Sequence, residues 1–387
     1  MTEITANASV AATTATATAA PSHAPHGPIV RVGVDLAKRV IQVHAVDAVG
    51  RVVANRALAR DKFLPWCAQL PPGCLVAMEA CASAHHWGRE LMARGLTPKI
   101  IPAALAAPYR VQGNSGKNDA NDAAAICEAA SRPLMRFVPI KSAAQQAMLC
   151  VHRLREGIKT ERVACINRIR GLLGEFGIVF AQTVRSLRLG LPEVLEDASN
   201  ALPGIARLAI EQAHRHWQEL DEHLAWCDER IAVHVKEDER AQAALKVSGI
   251  GPITASALVA TVADLRQFKN GAQFGAWLGL VPKQHSSGGK ARLSRITKRG
   301  DTYLRTLMIQ AAKSAVMTAQ GREDPISQWV LKLRERSGWQ KAVVALANKN
   351  ARILWAMLTK GAAYEPRHVS VNPSLAAQLS AAPVPSH

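Results

Sequence analysis

The 387-residue sequence predicts an α/β domain at the N-terminus followed by a mostly helical remainder. Three observations carry that prediction. Around residues 29–53 and 74–79, apolar residues alternate or form short runs, the pattern of half-buried and buried strands. From residue 141 onward they recur at intervals of three or four, as on one face of a helix. The charge is also uneven. Residues 141–240 hold 14 Lys/Arg against 15 Asp/Glu, whereas 241–362 hold 19 against 5. With a net charge of +18 and a pI near 10.0, the chain is suited to a polyanionic partner, and the C-terminal half is where that partner is expected.

The segment 1–28 is rich in Ala and Thr and is expected to be a disordered leader. Residues 29–53 (IVRVGVDLAKRVIQVHAVDAVGRVV) read as two antiparallel strands, with a turn at Ala48-Val49-Gly50 and a third strand starting near Arg51. Asp35 falls at the end of the first strand. A half-buried carboxylate there needs a cation or hydrogen-bond donors to offset its desolvation. Ribonuclease-H-like nucleases place an Mg²⁺-binding Asp at this point, and actin-like ATPases one that holds Mg-phosphate. A short helix over 61–70 is closed by Pro71-Pro72-Gly73. The run CLVAME then reads as a buried strand ending on a second carboxylate, Glu79. A helix near 84–94 and a strand over 98–101 complete an α/β sheet, whose ligands gather at the strand ends.

Next comes GNSGKNDANDAAAI, residues 113–126. Its Gly/Asn/Ser part reads as a loop, with Asp119 at the helix N-cap. The i, i+3 spacing puts Asp119 and Asp122 on one face of the first turn. Alone, this is a cap plus a dipole-favoured acid. With Asp35 and Glu79 it becomes an all-oxygen set suited to Mg²⁺, and two such ions could serve the attacking and leaving oxygens of a phosphodiester.

Residues 141–240 predict two long amphipathic helices, interrupted at Pro192 and Pro203. Met148, Val151, Leu154, Ile158, Ile166, Ile169, Leu173 and Phe176 mark the face of the first, and Ile210, Trp217, Leu220, Leu224 and Ile231 that of the second. They read as a long helical, coiled-coil hairpin, and so long an apolar stripe points to dimerisation. In 241–362, LKVSGIGPITASALVATVADLRQF fits a helix-hairpin-helix, with Gly249 and Gly251 offering backbone N–H groups to a phosphate. The stretch PKQHSSGGKARLSRITKRGD follows. Its two serines and two glycines read as a mobile loop inside a basic patch. Candidate nucleic-acid contacts are Lys117, Gly249, Gly251, Lys283, Lys290, Arg292, Arg295, Lys298 and Arg299. A serine beside a metal-bound phosphate would have electrophile and proximity supplied, although no local His-Asp pair is arranged to activate it. Amphipathic helices follow over 302–318, 325–336 and 341–359, and 363–387 is expected to be a disordered tail.

Seven cysteines at irregular spacings, with no C-x-x-C pair, read as reduced thiols. No signal peptide and no membrane-spanning run is apparent, so the expected place is the bacterial cytoplasm, in association with the nucleoid.

In order, V-G-V-D-L-A-K, A-M-E-A, K-N-D-A-N-D-A, G-I-G, G-L-V-P-K-Q-H-S-S-G-G-K and T-K-R-G-D-T-Y-L-R resemble the DEDD-type insertion-sequence transposases. These are also called bridge recombinases and include the Piv DNA invertase. The resemblance spans roughly 30–358. It implies a RuvC-like, ribonuclease-H-like domain over 29–140, a coiled-coil segment over 141–240 and a C-terminal transposase domain over 241–362. It further implies that Asp35, Glu79, Asp119 and Asp122 are the Mg²⁺-binding acids. Ser287, by its place before Gly288, would be the nucleophile that forms a transient phosphoserine link to DNA, with Ser286 next door. DNA ends and target, a non-coding bridge RNA and a dimer-to-tetramer assembly are the implied partners.

Three other functions fit parts of the sequence. A metal-dependent ribonuclease-H-like endonuclease or Holliday-junction resolvase would leave Ser287 structural. An actin-like ATPase would explain V-G-V-D-L-A, but Ala37-Lys38-Arg39 replaces its usual Gly and Thr. A nucleic-acid scaffold with a dead site would not explain four intact acids.

Overall fold

A computed structural model describes residues 27–110, 118–287 and 290–365, with only the backbone described at 286, 287, 290 and 291. The leader to residue 26, the segment 111–117 with Lys117, Gly288 and Gly289, and the tail from 366 lie outside the described residues. The chain divides into two compact units, Met1–Ile140 and Lys141–His387.

The first unit is built on a five-stranded sheet in the order β3-β2-β1-β4-β5. The strands are β1 (Arg31–Leu36), β2 (Val40–Val46), β3 (Val52–Ala59), β4 (Leu75–Glu79) and β5 (Thr97–Ile101). β1 pairs antiparallel with β2, and β2 with β3, whereas β1, β4 and β5 run parallel. Alternation sorts the side chains. Val32, Val34, Val76 and Met78 enter a core with Phe63 and Trp66 from the α1 (Phe63–Cys67) region and Trp87 and Leu91 of α2 (Ala84–Met92). The other face meets α3 (Ala103–Ala106) and α4 (Asp119–Ala130), with Ala77, Ile101, Ala106, Ile126, Ala129 and Ala130 buried together.

One backbone approach sets the distance between α4 and the sheet. A Cβ at Gly33 would lie 2.1 Å from the Ala123 carbonyl oxygen and 2.5 Å from the Cys127 nitrogen. No residue with a side chain fits there.

The second unit opens with α5 (Ala143–Gly174) and α7 (Gly204–Glu237), joined through α6 (Val184–Glu196). Ser142 and Gln145 close a capping box at the start of α5. Arg155 with Asp228, then Arg162 with Asp221, pair along the two helices in opposite sequence order, so the helices run antiparallel. Pro192 does not interrupt the chain as expected; it lies inside α6. Leu187 and Leu191, both ahead of the proline, are fully buried in one cluster with Ile169, Leu173 and Trp217, and that packing offsets the roughly 3 kcal/mol that an internal proline costs. Leu154 also departs from expectation, being about half exposed. The buried seam passes instead through Leu149, His152 and Ile158.

His152 can take a core position because both ring nitrogens are bonded. Nδ1 lies 3.0 Å from the Tyr303 hydroxyl and Nε2 lies 2.9 Å from Ser256 Oγ. Ser256 Oγ also lies 2.9 Å from His234 Nδ1. This chain of polar groups ties α5 and α7 to α9 (Pro252–Thr261) and α11 (Thr302–Met317). The remaining helices are α8 (Glu239–Leu245), α10 (Gly271–Trp277), α12 (Pro325–Ser337) and α13 (Trp339–Lys360), packed on a core that includes Phe274, Leu304, Met308, Leu346 and Leu354. From this core projects a two-stranded antiparallel hairpin, β6 (Pro282–Ser287) with β7 (Lys290–Ile296).

Two outcomes are expected. Gly33→Ala should cost roughly 3 kcal/mol, because the methyl meets backbone and not a yielding side chain, and chemical unfolding would measure it. Burial, with the charges of His234 and Arg155, pushes His152 from an ordinary 6.5 down to about 4. The folded state therefore resists a proton that the unfolded chain accepts. Stability should be full above pH 6.5 and fall as the pH drops towards 4, by about 3 kcal/mol at most. Denaturant midpoints across that window should show the loss, and His152→Gln should flatten it.

Candidate metal centre and nucleic-acid interface

Gly33, Asp35, Ala77 and Glu79 fall on one face of the sheet by alternation, and β1 and β4 lie in register with Gly33 opposite Ala77. α4 crosses that face at Gly33 through residues 123 and 127, and the charges of its first turn reach Asp35. That turn holds Asp119 and Asp122. The other three acids are close enough to act on Asp35. Burial first, then the charges of Asp119, Asp122 and Glu79, push the Asp35 carboxyl above its ordinary range, while Arg110 pulls it down.

The N-cap is Asn118 and not Asp119. Asn118 is extended, at φ −149° and ψ 161°, and its side-chain oxygen accepts the Asn121 N–H at 2.8 Å. Asp119 is thereby the first helical residue, free of capping duty and exposed. Asp122 accepts a hydrogen bond from Arg110 Nε.

Among the described residues, no three His, Cys, Asp or Glu side chains stand as a ready ligand cluster. The four carboxylates are drawn to one end of the sheet without closing on a common point, and Arg110 holds one of them. The donor set still suits a hard divalent cation: it is all oxygen, and its mutual repulsion registers on Asp35.

In the second unit, Ser286 and Ser287 lie in β6, not in the loop that their composition suggests. Ser287 pairs with Lys290 and His285 with Arg292, so positions 285 and 287 share one face of the ladder and position 286 the other. Lys283, Arg292, Arg295, Lys298 and Arg299 are all exposed. Lys298 adopts a left-handed backbone, φ 54°, which a non-glycine residue takes only where its surroundings hold it. Those surroundings include buried Arg305, which donates to the carbonyls of Leu278 and Arg299 and to Thr302 Oγ1. The turn between α8 and α9 carries Gly249 at φ +81°, where a Cβ would stand 2.1 Å from the Ala311 carbonyl. Gly251 is the N-cap of α9, and Pro252 is its first residue.

Comparison with known proteins gives the family of the chain. Residues 32–178 match a DEDD transposase family, and residues 241–325 match the family described as Transposase IS116/IS110/IS902. A probable family 20 transposase of Pseudomonas aeruginosa is 48% identical over 337 residues, 87% of this chain and 98% of that protein. The transposase for insertion sequence element IS1111A of Coxiella burnetii is 39% identical over 332 residues, 86% of this chain and 90% of its own length. That for IS1328 of Yersinia enterocolitica is 35% identical over 333 residues, covering 86% and 98%.

The chain belongs to the IS110/IS116 transposase family.

It is thus an insertion-sequence transposase, an enzyme that cuts and rejoins DNA, and the ATPase alternative falls away. None of the described helices is long and apolar enough to cross a membrane. Sequence reasoning missed three residues that shape the transposase. Gly33 sits among valines, and an isolated glycine inside a strand was the signal that another backbone comes close. Arg110 finds its partner 12 residues later, across a segment read as a loop. Arg305 is one of many cations in the basic stretch, yet is only 7% exposed. The hairpin did leave a signal, since Gly-Gly between two alternating runs is a two-residue hairpin connection.

Raising the Asp35 pKa means that its carboxylate is a burden to the fold at neutral pH. Stability from this group is greatest in acid and falls as the pH rises from 3.8 through the raised value. Asp35→Asn should therefore raise the melting temperature at pH 7, and thermal melts at pH 7 and pH 4 should show the gain shrinking in acid.

Proposed function

We propose that this transposase cuts DNA with Ser287 as nucleophile and with Asp35, Glu79, Asp119 and Asp122 holding Mg²⁺. The observation that carries the reading is the placement of four carboxylates from β1, β4 and α4 at one end of one sheet, at a cost registered on Asp35. Placing like charges together in this way is characteristic of a site that takes a cation. DEDD transposase domains typically use a divalent metal. Bound there, Mg²⁺ would supply charge to the phosphate oxygens of the scissile bond.

The Ser287 hydroxyl attacks phosphorus and gives up its proton. A phosphoserine ester forms as the bond to the leaving deoxyribose oxygen breaks, and that oxygen takes up a proton. Attack on the phosphoserine by a strand-end hydroxyl reverses these steps and rejoins DNA. The register supports Ser287 over Ser286, because position 287 shares its face with His285 and Arg292. Lys283, Lys290, Arg292, Arg295, Lys298 and Arg299 would follow the phosphates, with Lys117 doing the same from the first unit. The turn at Gly249 and Gly251 would act as a helix-hairpin-helix. Gly249 serves it structurally by admitting the Ala311 carbonyl, and Gly251 opens α9 to the backbone of a strand.

A bridge RNA is the proposed source of sequence specificity, consistent with exposed cations concentrated on a narrow hairpin, an arrangement suited to nucleic-acid backbone. α5 and α7 are proposed to join protomers as a coiled coil in a dimer or tetramer, and the exposed Leu154, Val163 and Leu172 of α5 with Trp226 of α7 support that reading. The proposed setting is the bacterial nucleoid. The proposed domain limits remain 29–140, 141–240 and 241–362, with tails at 1–28 and 363–387.

The test is strand cleavage with Mg²⁺, element ends and guide RNA, comparing the wild type with Ser287→Ala. The wild type should give a protein–DNA adduct that protease trims, and Ser287→Ala should lose both adduct and cutting by at least about a thousandfold. Equal cutting without an adduct would identify a metal-dependent hydrolase instead.

A further inference from the structure

Within the cluster of acids, Asp122 already has a partner. Arg110 Nε donates to Asp122 Oδ1, and the two side chains are only 20% and 13% exposed. Both ends of this pair are anchored. Asp122 belongs to the first turn of α4, fixed on the sheet at Gly33. Arg110 follows a 3-10 turn, Ala107–Tyr109, whose Tyr109 packs against the buried cluster that includes Ile126 and Ala129 of the same helix. A largely buried guanidinium–carboxylate pair is geometrically specific, and removing one partner strands the other. Arg110 also acts by charge on Asp35, so it bears on two of the four acids.

A divalent cation held by Asp35, Glu79, Asp119 and Asp122 meets two obstacles in Arg110. It must take an oxygen that Arg110 occupies, and it must approach a fixed positive charge. We propose that Arg110 is a latch on this centre: it holds Asp122 until a divalent cation displaces it. The inference rests on reading the four acids as a metal site. Arg110 thus does two things with opposite signs. It stabilises the cluster when no cation is bound, and it weakens cation binding by competing for Asp122. A purely structural ion pair would do only the first. A residue that orients Asp122 for the cation would strengthen binding.

The experiment uses the full chain with Mn²⁺ as the probe, free Mn²⁺ being followed by electron paramagnetic resonance. Wild type, Arg110→Gln, Arg110→Lys and Asp35→Asn are compared, with melting temperatures measured with and without Mn²⁺. Arg110→Gln should bind Mn²⁺ on the order of tenfold more tightly, by loss of a competing charge in a half-buried site. Its melting temperature should fall without Mn²⁺ and recover with it. Arg110→Lys keeps the charge and loses the planar fork, so its gain in affinity should be smaller. Should Arg110→Gln fail to fold, the Lys variant reads the same competition. Unchanged or weaker Mn²⁺ binding in the Arg110 variants, with wild-type binding abolished by Asp35→Asn, overturns the latch and leaves the metal site standing. Wild-type Mn²⁺ binding that Asp35→Asn does not affect overturns both.

Discussion

The N-terminal unit depends on one steric constraint, the contact of α4 with β1 at Gly33. A helix ordinarily packs on a sheet with side chains between the two backbones. At Gly33 there is no side chain on the strand, and the backbone of α4 takes its place. The consequence is electrostatic. Asp119 and Asp122 are carried down with the helix towards Asp35, and Glu79 stands on the neighbouring parallel strand. The apolar burial of Val32, Val34, Val76, Met78 and the aromatic residues on the other face stabilises the unit enough to tolerate this repulsion. Stability on one face of the sheet thus supports a destabilising cluster on the other, the usual relation between a scaffold and its site.

The second unit solves a different problem. Two helices of more than 30 residues have to be joined to a compact helical core. The bonds from Tyr303 through His152 and Ser256 to His234 do this with polar groups, and they fix orientation more narrowly than apolar packing alone. The salt bridges further along the pair, such as Arg155 with Asp228 at 2.6 Å, continue the alignment towards the far end. Arg305 performs a similar task beside the hairpin, using carbonyl acceptors to hold the turn that carries Lys298 and Arg299.

Much of the fold is legible in the sequence because it is local. The alternation of VRVGVDL and CLVAME gives strands β1 and β4, and it also settles that Asp35 and Glu79 fall on the faces of Gly33 and Ala77. What escapes is set by partners distant in sequence. Asn118 and Asp119 are equally good caps, and only the extended backbone at Asn118 decides between them. His152 reads as polar, so the seam of α5 is drawn through Leu154 until its two hydrogen bonds are known. Pro192 looks like a breaker until Leu187 and Leu191 are seen buried together on one face of α6. Ser286 and Ser287 carry loop composition but strand geometry, because ladder pairing with β7 outweighs weak intrinsic preference. Arg110 falls in the same class, its role being fixed by a carboxylate on another element.

The β6–β7 hairpin has a further consequence for how this protein can change. From Pro282 to His285 and from Arg292 to Arg295 every side chain is exposed, Leu293 included. These eight described side chains contribute no core, so substitutions at them leave cellular abundance nearly untouched. In a saturation library scored for both abundance and transposition, these positions would separate the two readouts, whereas Gly33 or Phe274 would move them together. On the proposed nucleic-acid role of this ribbon, selection acts on it through that contact alone, which leaves it free to diverge while the scaffold holds still.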